Sequence, residues 1–183
     1  MKSTKFFLIL TLCTLQTTLA VSQTKTSLDE KAIRQIVSDM EKGWNTKSGE
    51  AFAAHFAHDH SLVVWNGLYM PQVNRALNGQ IHQGLFDGIY KTMYLQMKVD
   101  KISFVKHDVA MVHTLLNTRQ GEASAPAFPQ LLITMLMLKN GGTWEISSFH
   151  NLNIEYDEIL HKPEPTQEEI LACAKQNFPG WYR

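Results

Sequence analysis

Residues 95–154 constrain the fold more than any other stretch, because they read as four long strands joined by turns and one loop. The strands are Leu95–Phe104, Val109–Arg119, Leu131–Lys139 and Thr143–Ile154, separated by Lys106-His107-Asp108, a loop holding Pro126 and Pro129, and Asn140-Gly141-Gly142. Connections of this kind return the chain antiparallel to its neighbour, and Asn-Gly is a strong hairpin signal. The sheet is therefore expected to meander.

Helical signals come before it. Ser27-Leu28-Asp29-Glu30 matches a capping box, and Ile33, Ile36, Val37, Met40 and Trp44 follow at helical spacing up to about Asn45. A shorter helix is suggested by Ser48-Gly49-Glu50 ahead of Phe52 and Phe56, and a third over residues 72–91 by the row Val73, Leu77, Ile81, Leu85. Between them, Ser61–Trp65 reads as a strand, Asn66-Gly67 as its hairpin turn, and Leu68–Met70 as the return until Pro71 stops it. The expected class is α+β: a curved, mostly antiparallel sheet wrapped by three N-terminal helices, a cone-shaped half-barrel with a cavity at its open end.

The ends read differently. Lys2 and Lys5 precede an apolar run from Phe6 to Leu15, and small residues follow, the pattern of a secretory signal peptide over residues 1–20 with cleavage after Ala20 or Ser22. The run is too short to span a membrane, so export to the periplasm or the medium is expected, without a permanent membrane anchor. The cone should occupy residues 29–157. Residues 158–183 should form a linker through Lys162-Pro163-Glu164-Pro165, a short helix capped at Thr166, and an aromatic plug at Phe178–Tyr182.

Charge excludes one class of partner. Lys and Arg number 17 against 17 Asp and Glu, and removal of the signal leaves 15 against 17. Such a chain has no clustered basic surface for nucleic acid. Removal also leaves a single cysteine, Cys173, so the core must hold by packing without a disulfide, and Cys173 is expected to be buried on the terminal helix.

The period of two on the last strand places Trp144, Ile146, Ser148, His150 and Leu152 on one face and Glu145, Ser147 and Asn151 on the other. His150 is thus expected inside the cone. A ring with a pKa near ~6.5 there suits acid-base work or donation to a bound carbonyl. His82 is the second candidate, set by helical angle among Asn78, Leu85, Phe86 and Ile89. Trp65, Asn66, Tyr69, Phe86, His113 and Ser148 are expected to line the pocket, with Asn66 also serving the hairpin turn. His55, His58, Asp59 and His60 crowd six residues, but His58 and His60 are not one helical turn apart, so a solvated helix end is expected and no metal site.

Six strings in order resemble one family: Gly43-Trp44-Asn45, Phe56-Ala57-His58-Asp59-His60, Val64-Trp65-Asn66-Gly67, His82-Gln83-Gly84, Asp108-Val109-Ala110-Met111-Val112-His113, and Trp144 through Asn151. Over Ala32–Ile154 the chain resembles the SnoaL-like group of the nuclear transport factor 2-like superfamily, and within it the SgcJ/EcaC-type proteins. The resemblance implies a cone with a ligand cavity, often dimeric; SgcJ/EcaC-type proteins are commonly labelled oxidoreductases. No Gly-rich strand-to-helix loop for a nicotinamide or flavin occurs, so no cofactor is expected. The superfamily's ketosteroid isomerases and polyketide cyclases use a buried aspartate as base. The inward strand positions inferred above hold no carboxylate, which moves that role to histidine. Two functions follow: acid-base catalysis by His82 and His150 on a small, mostly apolar substrate, or binding of such a molecule without catalysis. A homodimer through the outer sheet face is also expected, since Leu132, Leu136 and Leu138 share one strand face.

Overall fold

The computed structural model describes residues 28–183. The expected signal peptide and the Ser27 cap lie outside these residues. The chain forms two compact units, Met1–Gln35 and Ile36–Arg183. In the first, residues 28–35 are helical and belong to a helix, α1, that runs over residues 28–45. No helix among the described residues is long and apolar enough to cross a membrane.

The second unit holds the sheet. After α1 come α2 (Gly49–Ala53), β1 (Phe56–Val63), β2 (Tyr69–Asn74) and α3 (Arg75–Asp87). The long strands follow as β3 (Met93–Lys106), β4 (Val109–Gln120), β5 (Leu131–Asn140) and β6 (Thr143–Asn153). The six strands lie in the order β2-β1-β6-β5-β4-β3. All neighbours are antiparallel except β1 and β6, which run parallel, so the sheet is mixed.

Three boundaries differ from the sequence reading. The first strand begins at Phe56, so His58-Asp59-His60 is extended backbone and no helix end. Second, β2 continues through Pro71, which is tolerated because β2 is an edge strand and the missing N–H is not needed there. Consequently α3 starts at Arg75, where Asn74 Oδ1 caps it by accepting from Leu77 N at 2.8 Å.

Inward residues at the closed end form the core. Ala110, Val112, Met135, Met137 and Ile146 are fully buried, and they pair across strands as Val112 with Met135 and as Ala110 and Ile146 with Met137. Cross-strand partners share a face, so these rows define the inside of the cone. The other edge, β3, is joined to the end of α1 by side chains. Trp44 Nε1 and Asn45 Nδ2 donate to the carbonyls of Met93 and Leu95, at 3.0 and 2.8 Å. Asn45 Oδ1 and Glu41 Oε2 accept from Leu95 N and Met97 N, at 2.8 and 2.7 Å. The string Gly43-Trp44-Asn45 thus does structural work at the sheet edge.

Beyond β6, α4 (Tyr156–Leu160), α5 (Gln167–Asn177) and a 3-10 turn (Pro179–Tyr182) complete the chain. Thr166 and Glu169 form the expected capping box, and Cys173 is buried in a cluster with Tyr156 and Ala174, against Phe128, Ile170 and Phe178. Lys98 Nζ donates to the Trp181 carbonyl at 3.1 Å, which ties the terminal turn to β3.

Candidate functional site

A cavity of about 930 Å³ opens within the second unit, large enough for a drug-sized molecule. Its sheet wall continues the inward rows of the core: Met97 from β3, Leu116 and Thr118 from β4, Ile133 from β5, Phe149 and Asn151 from β6. Its helical wall is α3 with α2 behind it. These two helices meet at backbone contact, since a Cβ added to Gly49 would sit 2.1 Å from the Gly79 carbonyl oxygen. That approach brings Phe52 of α2 over the ring of His82, with centroids 4.2 Å apart.

His82 is the imidazole of this cavity. Trp44 and Phe86 lie around it at 6.3 and 6.1 Å between centroids. Its Nδ1 lies 3.0 Å from the carbonyl oxygen of Asn78. A carbonyl only accepts, so Nδ1 carries the proton and Nε2 keeps its lone pair. Burial among aromatic rings pushes the pKa down to about 4; the Asn78 carbonyl opposes this and nearby His60 adds to it. At neutral pH the ring is uncharged.

Behind His82 lies a polar pair that sequence reasoning missed. His60 is 4% exposed, its Nδ1 donating to the Ala57 carbonyl at 2.9 Å. Its Nε2 accepts from the amide of the fully buried Asn78 at 2.9 Å. Burial lowers the pKa of His60 as well, and Arg75 adds to this while the Ala57 carbonyl and Asp59 oppose it. Asn78 is therefore bonded to His60 through its side chain and to His82 through its carbonyl. The available signal was Leu62: once β1 begins at Phe56, His60 shares the inward face of Leu62 by the period of two.

Of the residues expected from sequence, His82, Trp65 and Asn66 line the cavity. Trp65 stands at the mouth, 53% exposed, and Asn66 Oδ1 also accepts from Leu68 N at 3.1 Å to hold the hairpin turn. Five others do not line it. His150 is exposed, with its Nε2 3.3 Å from Ser148 Oγ. The cause is a bulge: Leu136 pairs with Ser148 while Met137 pairs with Ile146, so Ser147 is an extra residue and the alternation reverses after it. Inward positions therefore run Trp144, Ile146, then Phe149, Asn151 and Asn153. The same reversal turns Ser148 outward, where it bonds Ser61 Oγ at 2.8 Å. His113 lies on the outer face of β4, opposite Lys101 and Thr134. Phe86 is buried in the packing of α3 against Trp44, 5.1 Å between centroids, and Tyr69 is exposed beyond the mouth.

Lys and Arg are absent from the cavity wall as described, and Glu155, exposed at its margin, is the carboxylate there. The inward strand positions thus remain without an acid, as read from sequence, although by a different set of residues. His58 and Asp59 are exposed and paired to each other at 3.1 Å. Among the described residues no group of three His, Cys, Asp or Glu is placed to hold a metal ion.

Solved structures share this fold. A domain of unknown function with a cystatin-like fold from Nostoc punctiforme is 24% identical, with 82% of this chain and 98% of that one covered at a TM-score of 0.65. An NTF2-like protein with a cystatin-like fold from Novosphingobium aromaticivorans is 11% identical, covering 75% and 90% at 0.62. The fold is NTF2-like. A ketosteroid isomerase-like protein from Erwinia carotovora atroseptica has it too, at 15% identity, 68% and 95% coverage and a TM-score of 0.52. No family model matches this chain, and no curated protein matches it. At these identities the NTF2-like likeness is one of fold, and what the cavity does has to be argued from its own residues.

Proposed function

We propose that the cone binds a small, mostly apolar molecule and that His82 provides the polar contact that orients it. The observation that carries this reading is one uncharged imidazole set in the wall of an otherwise largely apolar 930 Å³ cavity. Binding is favoured over catalysis for two reasons. A histidine whose pKa is pushed to about 4 is a weak base at neutral pH, and His150, the expected second catalytic group, is outside the cone. The ketosteroid isomerase-like neighbour supports use of such a cone for small molecules.

Trp44 and Trp65 both line the cavity, so their fluorescence reports occupancy. Titration with a neutral naphthalene derivative should quench it saturably, and Leu131→Trp, which fills the cavity from β5, should abolish the quenching while leaving the circular dichroism spectrum intact. Quenching that persists in the filled variant would place binding elsewhere. We further propose that the chain is an exported SnoaL-like, SgcJ/EcaC-type protein, readable from a mature N-terminus after Ala20 or Ser22. Homodimerisation through the outer face of β5, where Leu132, Leu136 and Leu138 are half-buried, is readable from the mass in solution.

A further inference from the structure

The cavity wall has a hydrogen-bonding polarity that narrows what it accepts. His82 spends its Nδ1 proton on the Asn78 carbonyl, and Nε2 has no protein partner among the described residues. On the sheet wall, Asn151 Oδ1 lacks a hydrogen-bond partner but is sealed from the cavity, so a bound molecule does not reach it. Gln130 Oε1 is occupied by Thr118, whose N and Oγ1 donate to it at 2.8 and 3.0 Å. On the helical wall the open polar group is thus an acceptor, whereas the sheet wall, with the side-chain amides of Gln130, Asn151 and Asn153, holds donors as well. Leaving a buried acceptor unpaired is costly, and a donor that meets it recovers that cost.

The acceptor at His82 is held as one. Its ring cannot turn over without breaking the bond to the Asn78 carbonyl and the stacking on Phe52. Asn78 is itself fixed, because its side-chain amide donates to His60 Nε2. His60 and Asn78 are accordingly positioning residues for His82. At His82 an anion finds nothing complementary: the described wall has no Lys or Arg, and the lone pair of Nε2 opposes a carboxylate.

We propose that, given the ligand-binding reading above, the cavity takes a neutral, largely apolar molecule that carries a hydroxyl or N–H and donates it to Nε2 of His82. A molecule of the same shape with an ether or a carboxylate at that place is rejected. The chemical class is therefore an apolar alcohol, phenol or amine-type donor.

Three probes of one shape test this by calorimetry at pH 7: 2-naphthol, 2-methoxynaphthalene and 2-naphthoate. The naphthol should bind about tenfold more tightly than the ether, the worth of one hydrogen bond, and the naphthoate should bind most weakly. In His82→Phe, which keeps an aromatic ring and loses the acceptor, naphthol and ether should bind alike. Equal affinities in the unaltered protein, a preference for the naphthoate, or a naphthol preference that survives in His82→Phe would overturn the donor rule while leaving the cavity reading in place. If none of the three binds, the cavity reading fails and takes the donor rule with it. Nitrogen-15 spectra of the imidazoles cover the case in which His82→Phe does not fold. His82 Nε2 should be unprotonated at pH 7 and should shift on adding naphthol but not the ether; a protonated Nε2 would overturn the proposal.

Discussion

The closed and open ends of the cone are built from the same strands and the same inward face, yet one end is solid and the other hollow. At the closed end Ala110, Val112, Met135, Met137 and Ile146 have no exposed surface. Four to six residues along, Leu116, Thr118, Leu131 and Asn151 stand on the same face around open volume. The same strands run through both ends, and what differs is the covering layer. At the open end α2 and α3 supply a wall at a distance, and their one polar intrusion, His82, is backed by His60 and Asn78. A sheet thus becomes a container where its helices stop short of close packing, and stability and binding are assigned to different stretches of one strand.

Substitutions at the two ends should separate these roles. Met137→Ala, at the closed end, should lose about 2–5 kcal/mol of unfolding free energy in a denaturant titration, through lost transfer energy and a new cavity. Leu131→Ala borders space that already exists and should cost about 1 kcal/mol or less. Equal losses would break the distinction.

Acid should reveal the polar intrusion next. His82 is neutral when folded down to about pH 4, whereas in the unfolded chain it takes up a proton below its ordinary value of 6.5. The unfolded state then binds more protons between those limits, so stability is unaffected above about pH 6.5 and falls as the pH drops toward 4. The loss reaches up to about 3 kcal/mol, with His60, also lowered by burial, adding in the same direction. His82→Phe should flatten the part of the slope due to His82; a slope of equal size in that variant would assign it to other groups. The smallest effect is expected outside the cone altogether, where His150→Ala, at an exposed residue, should change stability by less than about 0.5 kcal/mol and leave probe binding unaltered.

His150 also shows where sequence periodicity stops being sufficient. The long strands, their turns, the short α2 and the capped terminal helix were all legible, because each rests on local pattern: alternation, Asn-Gly, Ser48 or Thr166 at an N-cap. His82 was legible for the same reason, since a helical angle needs no partner strand. The bulge at Ser147 is different, because an extra residue is defined only against β5, and nothing local to Ser147-Ser148 marks it. One such residue exchanged His150 for Asn151 in the cavity. His60 escaped notice through a boundary: β1 extends five residues ahead of the apolar run because it pairs with β2 and with β6, and both pairings are long-range.

The two outer strands of the sheet have a consequence for how the molecule keeps company with others. An outermost strand ordinarily offers a ladder of free amides and carbonyls on which a strand from another chain can build. Here β2 carries Pro71, which has no amide to offer, and over residues 93–97 of β3 the groups are already taken by Trp44, Asn45, Glu41 and Lys47. The end of α1 stands in for a seventh strand. Growth of this sheet by stacking copies edge to edge is blocked along those residues, so a chain of near-zero net charge, with little electrostatic repulsion to keep copies apart, is protected from strand-by-strand association by its own hydrogen bonds.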